Sequence, residues 1–87
     1  MDKRIILEDG TVISDAYVQT PANMLMIYVR NESGMTMGDL FPLLNNPEKT
    51  ETITAEAYGE TTVYTGYTDL YSISRGVTQI SAGLMKA

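Results

Sequence analysis

Apolar and polar residues alternate along most of this chain, and where they alternate the period is two. Ile53, Ala55 and Ala57 interleave with Thr52, Thr54, Glu56 and Tyr58, the pattern of a half-buried strand. Gly59-Glu60 then turns the chain into a second such run over 61–67, where Val63, Thr65 and Tyr67 oppose Thr62 and Tyr64. Thr68-Asp69 bends it again before 70–74, and Arg75-Gly76 leads into 77–84, with Ile80, Ala82 and Leu84 on one side. The pattern predicts an antiparallel meander of three or four strands in this half. Nearer the N-terminus, Ile5 to Leu7 and Thr11 to Ile13 flank Glu8-Asp9-Gly10. Asp-Gly between two β-forming runs signals a hairpin, because both residues tolerate positive φ. Its second arm is expected to extend through Ala16-Tyr17-Val18 until Pro21 stops it. Met24 to Val29 is unbroken apolar sequence closed by Arg30, read as a central strand buried on both faces.

One segment departs from period two. Leu40, Leu43 and Leu44 fall at helical spacing, Thr36 stands where an N-cap would, and Asp39 follows three residues later as in a capping box. Met35 and Leu40 flank that cap as a hydrophobic staple. Pro42 lacks a backbone donor, so the helix is expected to be short, about two turns, or to begin after Thr36. Asn45-Asn46-Pro47 ends it. The expectation is an α+β fold: a mainly antiparallel sheet, a meander of about six to seven short strands, with one short helix near residues 36–45.

Composition narrows what such a fold can do. Its 87 residues make a single domain, 1–87, with a small core and marginal stability. Small domains commonly add disulfides, a metal or a partner subunit. The chain has neither cysteine nor histidine, which removes disulfides, thiolate metal sites and the commonest general base, and leaves self-association as the expected staple. The N-terminal segment Met1 to Glu8 lacks the apolar core of a signal peptide, and no apolar run approaches the roughly 18 residues of a membrane span. Eleven acidic against six basic residues give a net charge of −5, which disfavours general nucleic-acid binding.

Catalytic chemistry finds no footing, so no catalytic residue, metal ligand or cofactor is assigned and the protein is expected not to be an enzyme. Glu8 with Asp9 and Glu48 with Glu51 are acidic pairs at turns, where such residues serve the backbone. Six methionines, including Met24, Met26, Met35 and Met37, read as core filler around the central strand and helix, or more sharply as a flexible groove for a partner. Six tyrosines are the stronger signal, and Tyr58, Tyr64, Tyr67 and Tyr71 fall within the meander. They suit cross-strand packing, and equally a surface that stacks on a ligand or a protein. Tyr67, Tyr71 and Arg75 are separated by even numbers of residues and would share one face of an unbroken strand. Arginine beside aromatic rings suits a phosphate-bearing base. The candidate ligand-binding residues are therefore Tyr67, Tyr71, Arg75 and Arg30.

Four segments carry a resemblance: Ile5-Ile6-Leu7-Glu8-Asp9-Gly10-Thr11-Val12, Pro47-Glu48-Lys49-Thr50, Val63-Tyr64-Thr65-Gly66-Tyr67-Thr68-Asp69-Leu70 and Gln79-Ile80-Ser81-Ala82-Gly83-Leu84. In these the chain resembles small phage and prophage proteins of Gram-positive gut bacteria. The resemblance implies a phage origin and expression in the cytoplasm of a bacterial host; it transfers no functional residue. The expected function is a non-enzymatic accessory binder that counters host anti-phage defence by sequestering a nucleotide-type immune signal as a homo-oligomer. Alternatives are a structural component of a phage tail or baseplate, found in the virion, and an acidic inhibitor that binds a host defence protein. None of these requires nucleic acid or a membrane as partner.

Overall fold

The computed structural model describes residues 3–86; the leading Met1-Asp2 of the N-terminal reading lies outside them. Eight strands form two four-stranded antiparallel sheets. In the first, β1 (Arg4–Ile6) and β2 (Val12–Ser14) form the hairpin around Asp9-Gly10, and β5 (Thr52–Ala57) and β6 (Glu60–Thr65) form another. Strands β1 and β5 join them, with Ile5 opposite Ala55, giving the order β2-β1-β5-β6. The second sheet repeats this arrangement with β3 (Ala16–Gln19), β4 (Met24–Arg30), β7 (Asp69–Arg75) and β8 (Gln79–Met85), in the order β3-β4-β8-β7. The mainly antiparallel α+β class read from the sequence holds, with eight strands where six to seven were expected.

Those strands do not form one meander. At Asp15 the backbone takes φ of 53°, and the chain leaves the first sheet for the second between β2 and β3. Gly66, at φ of 83°, marks the corresponding crossing from β6 to β7. Both residues sit in the left-handed region, which glycine and aspartate tolerate better than most. Each half of the chain thus contributes one hairpin to each sheet, and the order of each sheet is symmetric about its central pair. The sequence shows no repeat, yet the topology has an approximate internal two-fold.

Helical structure links the two halves. Helix α1 (Met37–Leu44) has the complete capping box: the Thr36 hydroxyl accepts from the Asp39 amide, and the Asp39 carboxylate accepts from the Thr36 amide. Pro42 lies inside it. Where Asn45-Asn46-Pro47 was expected only to end that helix, a second helical turn begins, α2 (Pro47–Thr50); Asn46 caps it and Pro47 starts it, the favoured arrangement at a helix N-terminus. Lys49 of α2 is bonded through its carbonyl to the Glu8 amide, which ties this turn to the β1–β2 loop.

Both sheets and α1 share one core. Ile5, Ile13 and Ile53 enter it from the first sheet, Leu25, Ile27, Val29, Ile80, Ala82 and Leu84 from the second, and Leu40 and Leu44 from α1. Strand β4 is central in its sheet but buried on one face only: Leu25, Ile27 and Val29 are enclosed, while Met24, Met26 and Tyr28 lie half-buried on the outer face. Met24 and Met26 are therefore outer-face residues and not core filler; Met35 and Met37 do pack against the core. Gly83 on β8 makes room for this outer layer. A Cβ there would lie 2.7 Å from Met24 Cε and 3.1 Å from both Met26 Sδ and Ser72 Oγ.

Candidate functional site

Tyr67, Tyr71, Arg75 and Arg30 are not gathered into one site. Strand β7 carries a bulge between Leu70 and Ser72, which face Leu84 and Gly83 of β8, so Tyr71 is the extra residue and the period-two relation fails there. Tyr71 stands 67% exposed. Tyr67 precedes β7 at the end marked by Met85, whereas Arg75 pairs with Ile80 at the opposite end. Arg30 lies on β4, separated from β7 by β8. Tyr67 has acquired other neighbours: its ring meets Tyr64 edge-on at 6.4 Å, and Lys86 Nζ lies 5.4 Å from its centroid.

Arg30 belongs to a different and larger constellation, in which two cations and two aromatic rings converge around Asp15. Strand β1, extended one step back from Arg4, places Lys3 beside Asp15 on one side and the β5–β6 turn on the other. The Lys3 carbonyl accepts from the Ala16 amide at 3.3 Å, and the Asp15 carbonyl accepts from the Arg30 amide at 3.0 Å. The single peptide group between Asp15 and Ala16 thus knits the ends of both sheets. Tyr17 comes from β3, next to that crossing. Tyr58 comes from the β5–β6 turn, where Tyr58 and Gly59 have φ of 53° and 79°. Two positive values are what a type I′ hairpin turn requires, and a bulky side chain is uncommon at its first position.

Lys3 Nζ lies 5.0 Å from the centroid of Tyr17 and 5.0 Å from that of Tyr58, so one ammonium is shared between two rings. Tyr17 is itself stacked on Tyr28 at 5.0 Å, and its hydroxyl donates to Gln79 Oε1 at 3.1 Å, which fixes the ring. Arg30 Nη2 pairs with Glu32 Oε1 at 2.8 Å, a hydrogen bond that raises the pKa of a guanidinium already charged in any case. Lys3, Asp15, Tyr17, Arg30, Glu32 and Tyr58 line an open cavity of about 430 Å³. The Arg30–Glu32 pair is exposed and screened by solvent, so it contributes little and yields readily to a competing anion.

A hollow of about 390 Å³ brings together one ring, Tyr67, and one cation, Lys86, against two of each around Asp15. A wider dish of about 710 Å³ is lined by Lys3, Arg4, Asp15, Glu56 and Glu60 among others, with no aromatic side chain and acidic groups in excess. The acidic pairs singled out in the sequence are occupied in part with local structure: Asp9 accepts from the Thr11 amide at 3.0 Å, and Glu8 from the Thr52 hydroxyl at 3.0 Å. Among the described residues, no group of three acidic side chains gathers as a metal site.

Sequence reasoning named Arg30 and missed Lys3, Tyr17 and Tyr58 as its companions. They come from four separate segments, and only the double sheet crossing at Asp15 joins them. Comparison with protein-family models, with curated proteins and with solved structures returned no match.

Proposed function

We propose that this protein is a non-enzymatic binder of a nucleotide-type anion, held in the cradle of Lys3, Arg30, Tyr17 and Tyr58. The observation that carries this reading is the placement of Lys3 between two tyrosine rings, with Arg30 lining the same cavity. A planar base stacks on tyrosine because every base presents a π-face, and such stacking contributes about 1–3 kcal/mol per base. A phosphate then takes Lys3 and Arg30, displacing Glu32 from the guanidinium. In the phage setting implied by the sequence resemblance, retention of a nucleotide immune signal would counter host defence, with the binder acting as a homo-oligomer in the host cytoplasm.

Native mass spectrometry with a panel of cyclic nucleotides and ADP-ribose-type molecules tests this directly. Retention of one ligand is expected, lost in Arg30→Ala and Tyr58→Ala and kept in Arg75→Ala. Retention by none, or retention indifferent to Arg30 and Tyr58, overturns it.

The outer face of the second sheet favours a second reading, that of a tail or baseplate component. Met24, Met26, Tyr28 and Met85 lie half-buried there, an adaptable apolar surface of the kind that packs on neighbouring subunits. Detection of the protein in purified virions would favour this reading over the first.

A further inference from the structure

The four sheet edges are protected unequally. Strand β2 offers three residues. Strand β3 offers four, packs against β1 and β5, and is followed by Pro21. Strand β7 is interrupted by the bulge at Tyr71 and has α1 packed against it. These are the usual means of blunting an edge. Strand β6 has none of them. Its six residues, Glu-Thr-Thr-Val-Tyr-Thr, contain no proline, lysine or bulge, and all but Tyr64 are exposed.

Its hydrogen-bonding face follows from the turn. In a two-residue hairpin the flanking residues, Ala57 and Glu60, exchange both backbone bonds, so Glu60, Thr62 and Tyr64 point their amides and carbonyls at β5. The next step of that ladder is present, since the Gly66 amide bonds to the Glu51 carbonyl at 2.9 Å. The backbone groups of Thr61, Val63 and Thr65 therefore face outward, and none of them bonds to another described residue.

We infer that β6 pairs antiparallel with β6 of a second copy, joining two first sheets into one continuous eight-stranded sheet. An axis normal to the sheet keeps like faces together, and it places Val63 opposite Val63 of the second copy, with Thr61 opposite Thr65. About six backbone hydrogen bonds form in this register. Outer-face neighbours become β-branched pairs, a favourable cross-strand combination. The row Val12, Ile6, Thr54 and Val63, which crosses the first sheet, then runs unbroken into its two-fold mate. Val63 is 56% exposed in the single chain and gains cover on pairing. Glu60, the one charge on the strand, lies beyond the last pair and meets no acid. A second copy is the occupant that these features select, because the edge complements itself in both residue type and charge. This names a surface for the self-association in the reading above; ligand capture at the tyrosine cradle is not needed for it.

The chain has no cysteine, so a single one reports on proximity without interference. Val63→Cys is expected to give a disulfide-linked dimer on mild oxidation, whereas Tyr71→Cys, on the bulged edge, gives none. Sedimentation velocity without ligand is expected to show a dimer for the wild type. Val63→Lys should weaken association by at least about tenfold, since it buries charge beside its own copy, and Val77→Lys at the β7–β8 turn should not. The backbone amides of Val63 and Thr65 should exchange slowly in the dimer and fast in the Val63→Lys variant. A monomeric wild type, or a dimer indifferent to Val63→Lys in a variant with an unchanged circular dichroism spectrum, overturns the inference. Because no nucleotide is added, neither outcome depends on whether the cradle binds one.

Discussion

Tyr58 shows how a single residue can oppose its local conformation for the sake of its side chain. At φ of 53° it occupies a turn position for which asparagine or glycine is better suited, and its ring is set beside Lys3. The left-handed conformation costs a non-glycine residue on the order of 1 kcal/mol, and the exposed ring–ammonium contact returns a comparable or smaller amount. Tyr58→Asn is therefore expected to leave the thermal midpoint unchanged or raise it while reducing nucleotide retention, a separation that scanning calorimetry and native mass spectrometry together would read. Gly59 signals the turn, but the sequence places it one residue late, at Gly59-Glu60, because tyrosine is a strand former and alternation runs straight through Tyr58. Asp9 is the opposite case, legible from Asp-Gly alone. Hydrogen bonds from Thr11, and secondarily Lys49, lower its pKa, so the unfolded chain takes up its proton first as pH falls. The stabilisation from Asp9 is complete above the ordinary carboxylate range and is lost as pH falls through its lowered value. Asp9→Ala should thus lower the urea midpoint at neutral pH, with the difference vanishing in strong acid.

Elements were legible where their determinants are local. Thr36 and Asp39 announce α1, and the capping box forms as their spacing requires. Asp9-Gly10 announces the first hairpin. The β7 bulge was hidden because one of its conditions lies on another strand: Gly83, missing a Cβ, lets Met24, Met26 and Ser72 close over β8 opposite the extra residue Tyr71. That displacement is why the even spacing of Tyr67, Tyr71 and Arg75 did not become a shared face. The two-sided burial expected of β4 failed for a related reason, since an unbroken apolar run cannot distinguish a second protein layer from a surface of methionine and tyrosine. Within α1, Pro42 remains a defect: it denies the Gly38 carbonyl its bond and presses its ring toward that turn. Pro42→Ala restores the donor but frees the unfolded chain, so a net gain of about 1–2 kcal/mol is expected in chemical denaturation.

At the scale of the whole molecule, two sheets of separate hydrogen bonding share a single core, and this determines how the protein comes apart. Each half of the chain supplies one hairpin to each sheet, so neither sheet is a contiguous segment that could unfold by itself. Ile53 in the first sheet and Leu84 in the second are both fully enclosed in the same cluster. Truncating either removes apolar contact and leaves a cavity, at a cost of about 2–5 kcal/mol. For a domain of this size that is a large share of the total stability. If the core is one cooperative unit, Ile53→Ala destabilises β4 and β8 as much as it does β5, and Leu84→Ala acts as strongly on the first sheet. The tyrosines supply site-specific probes, with Tyr28 on the second sheet and Tyr64 on the first. Fluorotyrosine NMR during urea unfolding is expected to give coincident midpoints for the two, shifted together by either substitution. Midpoints that separate in Ile53→Ala, with Tyr64 released first, would show that the sheets are distinct folding units and that the crossings at Asp15 and Gly66 act as hinges between them.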